Sequence, residues 1–101
     1  MKVRSMTSKN GNNTAPNQFI ITEKGRGALG NFRTRETFQS YDSIIAVKTV
    51  WDDDVRIELD EVYWDYSRTT GTYRNMFLGE TIAETRNKIT DGSYKLKNLN
   101  K

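Results

Sequence analysis

The apolar residues of this chain change their spacing once, and that change constrains the fold more than any other feature. Over residues 55–60, Val55, Ile57 and Leu59 alternate with Arg56, Glu58 and Asp60. This is the period of a half-buried strand, with the first set inward and the second outward. Residues 44–51 carry apolar side chains on both faces: Ile45, Val47 and Trp51 (with Thr49) point one way, Ile44, Ala46 and Val50 (with Lys48) the other. That pattern suits a central strand covered in part on each side. Asp52-Asp53-Asp54 turns the chain between the two runs, so together they predict a β-hairpin. Beyond Thr70 the spacing becomes helical, with Tyr73 and Phe77 on one face at i,i+4. Strands followed by helices predict an α+β domain.

The remaining elements rest on local signals. Residues 17–24 are β-rich and predict the first strand, and residues 36–41 the second, with Asp42-Ser43 as the turn into the third. Thr69 or Thr70 can cap a first helix, and Gly79 suits its left-handed stop. Thr81-Ile82-Ala83-Glu84 is a capping box that opens a second helix, supported by a Glu84–Lys88 pair and ended by Asp91-Gly92. On that helix Ile82, Arg86 and Ile89 line one side, and Tyr94, Leu96 and Leu99 tether a last strand or tail. Residues 1–16 are polar and without period, which predicts a disordered arm. The expected architecture is a single α+β domain over residues 17–101. It is an antiparallel four-stranded meander covered by one or two short C-terminal helices.

Composition excludes several function classes. The chain of 101 residues has neither cysteine nor histidine. That removes thiolate chemistry, disulfides, the commonest metal ligand and every Ser–His or Cys–His device. No apolar run approaches the ~20 residues that span a bilayer, and no apolar signal segment opens the chain, which predicts a cytoplasmic protein with no membrane partner. Gly25-Arg26-Gly27-Ala28-Leu29-Gly30 matches G-x-G-x-x-G, but the residues after it are strand-like, whereas a dinucleotide site needs a helix there. Three consecutive acids at a strand end point in alternating directions, so Asp52-Asp53-Asp54 does not make a cation site. No catalytic residue, metal or cofactor is expected, and the protein is read as a non-enzyme.

Charge and aromatics remain. The net charge of +3 divides into eight bases against three acids in residues 1–50 and eight against ten in residues 51–101. Seven of those acids fall within residues 52–65. Solvated strand faces and turns account for most such runs, while asymmetry between halves hints at a charged partner. Residues 63–79 hold Tyr63, Trp64, Tyr66, Tyr73 and Phe77, a cluster that supplies either a core or a binding face. Trp64 is expected in the core and Tyr73 suits either role. Tyr63, Tyr66, Arg68, Tyr73 and Arg74 are the candidate partner-binding residues, being of the types enriched in interface hot spots. The alternative is a nucleic-acid surface, in which Lys24, Arg26, Arg33 and Arg35 grip phosphate and Phe32, Phe38 and Tyr41 stack on bases. Modest net charge and the acidic run count against it.

Three stretches carry a resemblance: Phe38-Gln39-Ser40-Tyr41-Asp42-Ser43-Ile44-Ile45-Ala46, Tyr63-Trp64-Asp65-Tyr66-Ser67, and Thr69-Thr70-Gly71 with Tyr73-Arg74-Asn75 and Phe77-Leu78-Gly79-Glu80. Together they resemble a family of small uncharacterised bacteriophage and mobile-element proteins, over about residues 17–100. In that family the first hairpin is short, so residues 25–35 look like an extension. The resemblance implies a phage origin and the infected cell's cytoplasm, and it carries no catalytic residue. With it, the expected function is a small host-takeover or anti-defence (anti-CRISPR-like) inhibitor that contacts a host or defence-system protein.

Overall fold

A computed structural model of the chain describes residues 1–25 and 32–101. Its sheet has six strands: β1 (Lys2–Thr7), β2 (Thr14–Lys24), β3 (Thr34–Ser40), β4 (Ser43–Val50), β5 (Val55–Asp60) and β6 (Tyr94–Lys97). They lie side by side in chain order. The first five pair antiparallel, whereas β6 runs parallel to β5. A parallel neighbour needs a crossover, and helices α1 (Arg68–Leu78) and α2 (Ile82–Thr90) provide it.

The sheet therefore differs from the expected four antiparallel strands, and the expected disordered arm is part of it. Strand β1 pairs with β2 along Lys2↔Thr22 to Ser5↔Phe19, and Met6 and Ala15 are buried in the core. The turn between them is closed by Ser8 N–H donating to Asn13 and by Gly11 in the left-handed region at φ 80°. Backbone pairing holds this edge strand, and only Met6 of its six residues is buried, so it has no alternation to read. The last strand carries only four residues, three of them exposed.

Both helices lie on one face of the sheet. Met6, Ala15, Ile20, Phe38 and Ile45 form one core cluster under Tyr63, Tyr73 and Phe77. Ala46, Leu59 and Tyr94 form a second with Ile57, Trp64, Phe77, Leu78 and Ile89. Phe77 touches both, with its ring 5.8 Å from that of Phe38. Trp64 is half-buried against the second cluster, near its expected place. The strict alternation of residues 44–51 fails at a β-bulge, where Phe38 pairs with Ala46 but Gln39 pairs with Ile44. The extra residue, Ile45, turns into the core beside Ala46, and both are fully buried.

On β5 the expected faces hold only in part. Leu59 is buried, but Val55 is 53% exposed, because its cross-strand row lies beyond the clusters the helices cover. Asp60, expected outward, is 1% exposed. Its Oδ2 accepts from the N–H groups of Val62 and Tyr63, and its Oδ1 from that of Leu99. Burial raises the Asp60 pKa, and the hydrogen bonds from Leu99, Tyr63, Asn100 and Val62 outweigh it, so the net shift is downward. This carboxylate fastens the start of the crossover to the C-terminal tail. Beyond it, the Asn100 amide accepts from Ile44 N–H and donates to Ile44 C=O, filling the ladder position that β5 vacates.

The helix ends match the expected chemistry at three of four points. Thr81 Oγ1 accepts from Glu84 N–H while Glu84 Oε1 accepts from Thr81 N–H. Gly79 closes α1 at φ 69°, and α2 ends at Asp91. The cap of α1, however, is Ser67, which accepts from Thr70 N–H. Thr70 itself is fully buried, sharing a 2.9 Å hydrogen bond with Ser40. The expected Glu84–Lys88 pair is also absent, because Glu84 is engaged in the capping box. Lys88 reaches Glu80 instead, at 2.7 Å.

Candidate functional site

Four of the five candidate partner-binding residues gather on α1 and the turn that enters it. One groove, about 510 Å³ in volume, is lined by Asp65, Tyr66, Ser67, Arg68, Gly71, Thr72, Arg74, Asn75 and Ile82. A second, about 310 Å³, lies between α1 and the β1–β2 turn, with Lys9, Arg68 and Tyr73 in its wall. Arg68 and Thr72 line both grooves and form the ridge between them. Spacing along the helix accounts for this, since Arg68 and Thr72 are at i,i+4 and share one face. Tyr63 sits beside the grooves, its ring edge-on to Tyr66 at 5.4 Å and its body packed on the core. Tyr66 is 45% exposed and free to meet a partner.

Arg74 is placed differently from what its hot-spot chemistry suggests. It is 1% exposed. Nη1 donates to the Trp64 carbonyl at 2.8 Å and to Asp65 Oδ1 at 3.1 Å, and Nη2 donates to Asn75 Oδ1 at 3.0 Å. The guanidinium lies 5.3 Å from the Trp64 ring centre. Arg74 is thus a buried brace joining α1 to the segment that enters it, and it floors the groove instead of reaching out. Gly71 packs against this brace, with the Arg74 guanidinium about 3.6 Å from where a Cβ would stand. Asp65 receives a second cation, Arg86, at 3.4 Å.

The second anchor of the helical layer was not foreseen from sequence. Glu80 Oε1 accepts from Lys88 and Tyr94, and Oε2 accepts from Thr85, at 2.6–2.9 Å. Burial raises its pKa, and these donors, Lys88 first, bring the net shift below the ordinary value. The same contact pushes Lys88 upward, and burial together with the Glu80 bond raises Tyr94. Its donors lie up to 14 residues away, at spacings that no local motif marks.

The described members of the alternative, basic set lie at one end of the β2–β3 pair, where Glu23 is opposite Arg35 and Lys24 opposite Thr34. Lys24 is exposed at the end of β2, and Arg33 forms a surface pair with Asp52 at 3.3 Å. Arg35 lies over the Phe32 ring at 4.1 Å, while Arg26 lies outside the described residues. Gly25 closes the neck of this loop, donating to the Arg33 carbonyl where a Cβ would collide with Phe32. Of the proposed stacking residues, Phe38 is fully buried and cannot meet a base. Tyr41 stands at the β3–β4 turn, at the other end of β3 from Phe32. The three aromatics do not converge. Among the described residues no cluster of acids that could hold a metal is present, and no helix is long and apolar enough to cross a membrane.

The sequence matches a family of unknown function (DUF8033) over residues 1–93. No curated protein and no solved structure matches the chain. The matched region begins at residue 1 and so includes β1.

Proposed function

The chain belongs to that family of unknown function, and we propose that it is a small non-enzymatic binding protein acting by protein–protein contact through α1. Its partner on this reading is a host or defence-system protein, met in the cytoplasm of an infected cell. The phage context rests on sequence motifs, Tyr63-Trp64-Asp65-Tyr66-Ser67 among them. The observation that carries the contact surface is the ridge of Arg68 and Thr72 between two grooves, flanked by Tyr66 on one side and Tyr73 with Lys9 on the other. Tyrosine and arginine beside concave, partly apolar surface are the residue types that dominate interface energies. Arg74 contributes by holding the helix in place.

Affinity capture from the relevant host, repeated after nuclease treatment, tests this reading. A specific protein should be retained in both cases and lost with Arg68→Ala or Tyr66→Ala while the variants stay folded. Retention that disappears with nuclease, or survives both substitutions, refutes the assignment.

A further inference from the structure

The helices cover one face of the sheet and leave the other open. Three cross-strand rows run over that open face, read from the pairing register. One is Glu23, Arg35, Thr49 and Arg56. The next is Val3, Ile21, Thr37, Val47, Glu58 and Lys95. The third is Ser5, Phe19, Gln39 and Ile44. Arg35, Thr49 and Arg56 each stand three residues from a core residue on their own strand (Phe38, Ala46 and Leu59), an odd spacing that sets them on the opposite face.

We propose that this open face is a stacking platform for single-stranded nucleic acid, centred on Arg35 and Arg56. Each guanidinium is already seated on an aromatic ring: Arg35 lies 4.1 Å from the centre of Phe32, and Arg56 lies 5.0 Å from that of Trp51. Arg35 Nε also donates to Thr49 Oγ1 at 3.4 Å, which fixes its plane beside the strand that separates the two pairs. A guanidinium held on a ring keeps its second face for a base, and unstacked bases are recognised by stacking on such planes as well as on rings. Arg56 is exposed and Arg35 half-exposed. The half-buried Phe19, Ile21 and Val47 of the adjoining rows give a further apolar surface.

The two stacked guanidiniums favour this occupant over an acidic protein groove, and like charge disfavours a second copy. The face carries Arg35, Arg56, Lys95 and Lys97 against Glu23, Glu58 and the buried Asp60, and Glu58 is already held by Lys97 at 2.7 Å. The acids Asp52, Asp53 and Asp54 lie at the β4–β5 turn, off the rows, and Asp52 faces Arg33. They repel a phosphate chain from that end and direct it across the strands toward Lys95. From β3 to β6 is three strand spacings, about 14 Å, room for a few nucleotides. Self-association through β1 would set Lys2 opposite Arg4 of a second copy in an antiparallel pair about Val3, a like-charge contact that disfavours it.

The test is binding of a labelled short oligothymidylate and a mixed-sequence RNA, followed by anisotropy and tryptophan quenching at ~50 and ~150 mM salt. The wild-type chain should bind at least one, more weakly at the higher salt. Arg35→Ala/Arg56→Ala should lower affinity about tenfold or more. Arg35→Lys/Arg56→Lys, which keeps the charge but not the plane, should recover only a small part of it. Arg68→Ala, on the opposite side of the fold, should bind as wild type whether or not α1 contacts a protein. No binding by the wild type overturns the proposal. So does full affinity in the lysine variant, or a protein captured by this face when neither oligonucleotide binds.

Discussion

Replacing Asp60 by asparagine separates a buried charge from its shape. In the wild type, three backbone N–H groups converge on one carboxylate that is 1% exposed. Hydrogen bonds to a charged acceptor each contribute about 1.5–3 kcal/mol, roughly twice a neutral one. Asparagine has one carbonyl oxygen. If it keeps the bonds to Val62 and Tyr63, its NH₂ is aimed at the Leu99 N–H, two donors face to face. One bond is lost and two are weakened, a cost of about 3–4 kcal/mol, a large part of the roughly 5–15 kcal/mol that holds a domain together. Urea unfolding followed by tryptophan emission measures this directly. The pH dependence supplies the second half of the test. The folded pKa of Asp60 lies below its ordinary value, so its stabilisation is complete above about pH 4 and is lost as pH falls through the folded value. The gap between wild type and Asp60→Asn should therefore be full at about pH 7 and shrink toward about pH 3. A gap under ~0.5 kcal/mol at neutral pH, or one that does not narrow in acid, would refute the account.

Four further predictions address single contacts. Thr81→Ala should cost about 0.5–2 kcal/mol, because both halves of the capping box depend on that residue; unchanged thermal stability would contradict it. Gln18 is fully buried and neither end of its amide meets a partner among the described residues, so Gln18→Met should stabilise by about 1–2 kcal/mol, and a loss in urea unfolding would show that the amide is satisfied. Glu80→Gln should destabilise at neutral pH and converge on the wild type in acid, the same sign as Asp60 because its pKa is also lowered; parallel pH curves would count against the three-donor network. Gly25→Ala should disrupt the β2–β3 neck, since its Cβ would collide with the Phe32 carbonyl. A wild-type amide spectrum for residues 24–35 would overturn that.

What could be read in the sequence was what short-range periodicity and caps encode. The strand at 55–60, the capping box at Thr81 and the stop at Gly79 all involve neighbours a few residues apart. The missed features are long-range. Strand β1 is held by backbone pairing across a turn, with a single buried side chain, Met6. Asp60 looked like an outward residue because alternation assigns faces, and nothing in its surroundings names Leu99 as a partner. Arg74 has the chemistry of a hot spot and the placement of a brace, a difference set by burial alone. At the site, the grouping of Tyr66, Arg68 and Tyr73 around one helix was legible. The pairing of Arg56 with Trp51 across a turn was not.

The parallel placement of β6 has a consequence for the order in which the chain folds. Strands β1 to β5 pair only with sequence neighbours, so a ribosome releases each partner within a few residues of the last, and loop-closure entropy stays small at every step. The final pairing waits for two helices, and the clasp of Asn100 on Ile44 spans 56 residues. Closing such distant contacts is the slow part of folding. A nascent chain halted before α1 would hold the five-stranded meander with its apolar face bare. In that interval the chain is most exposed to aggregation, and it ends when the C-terminus locks.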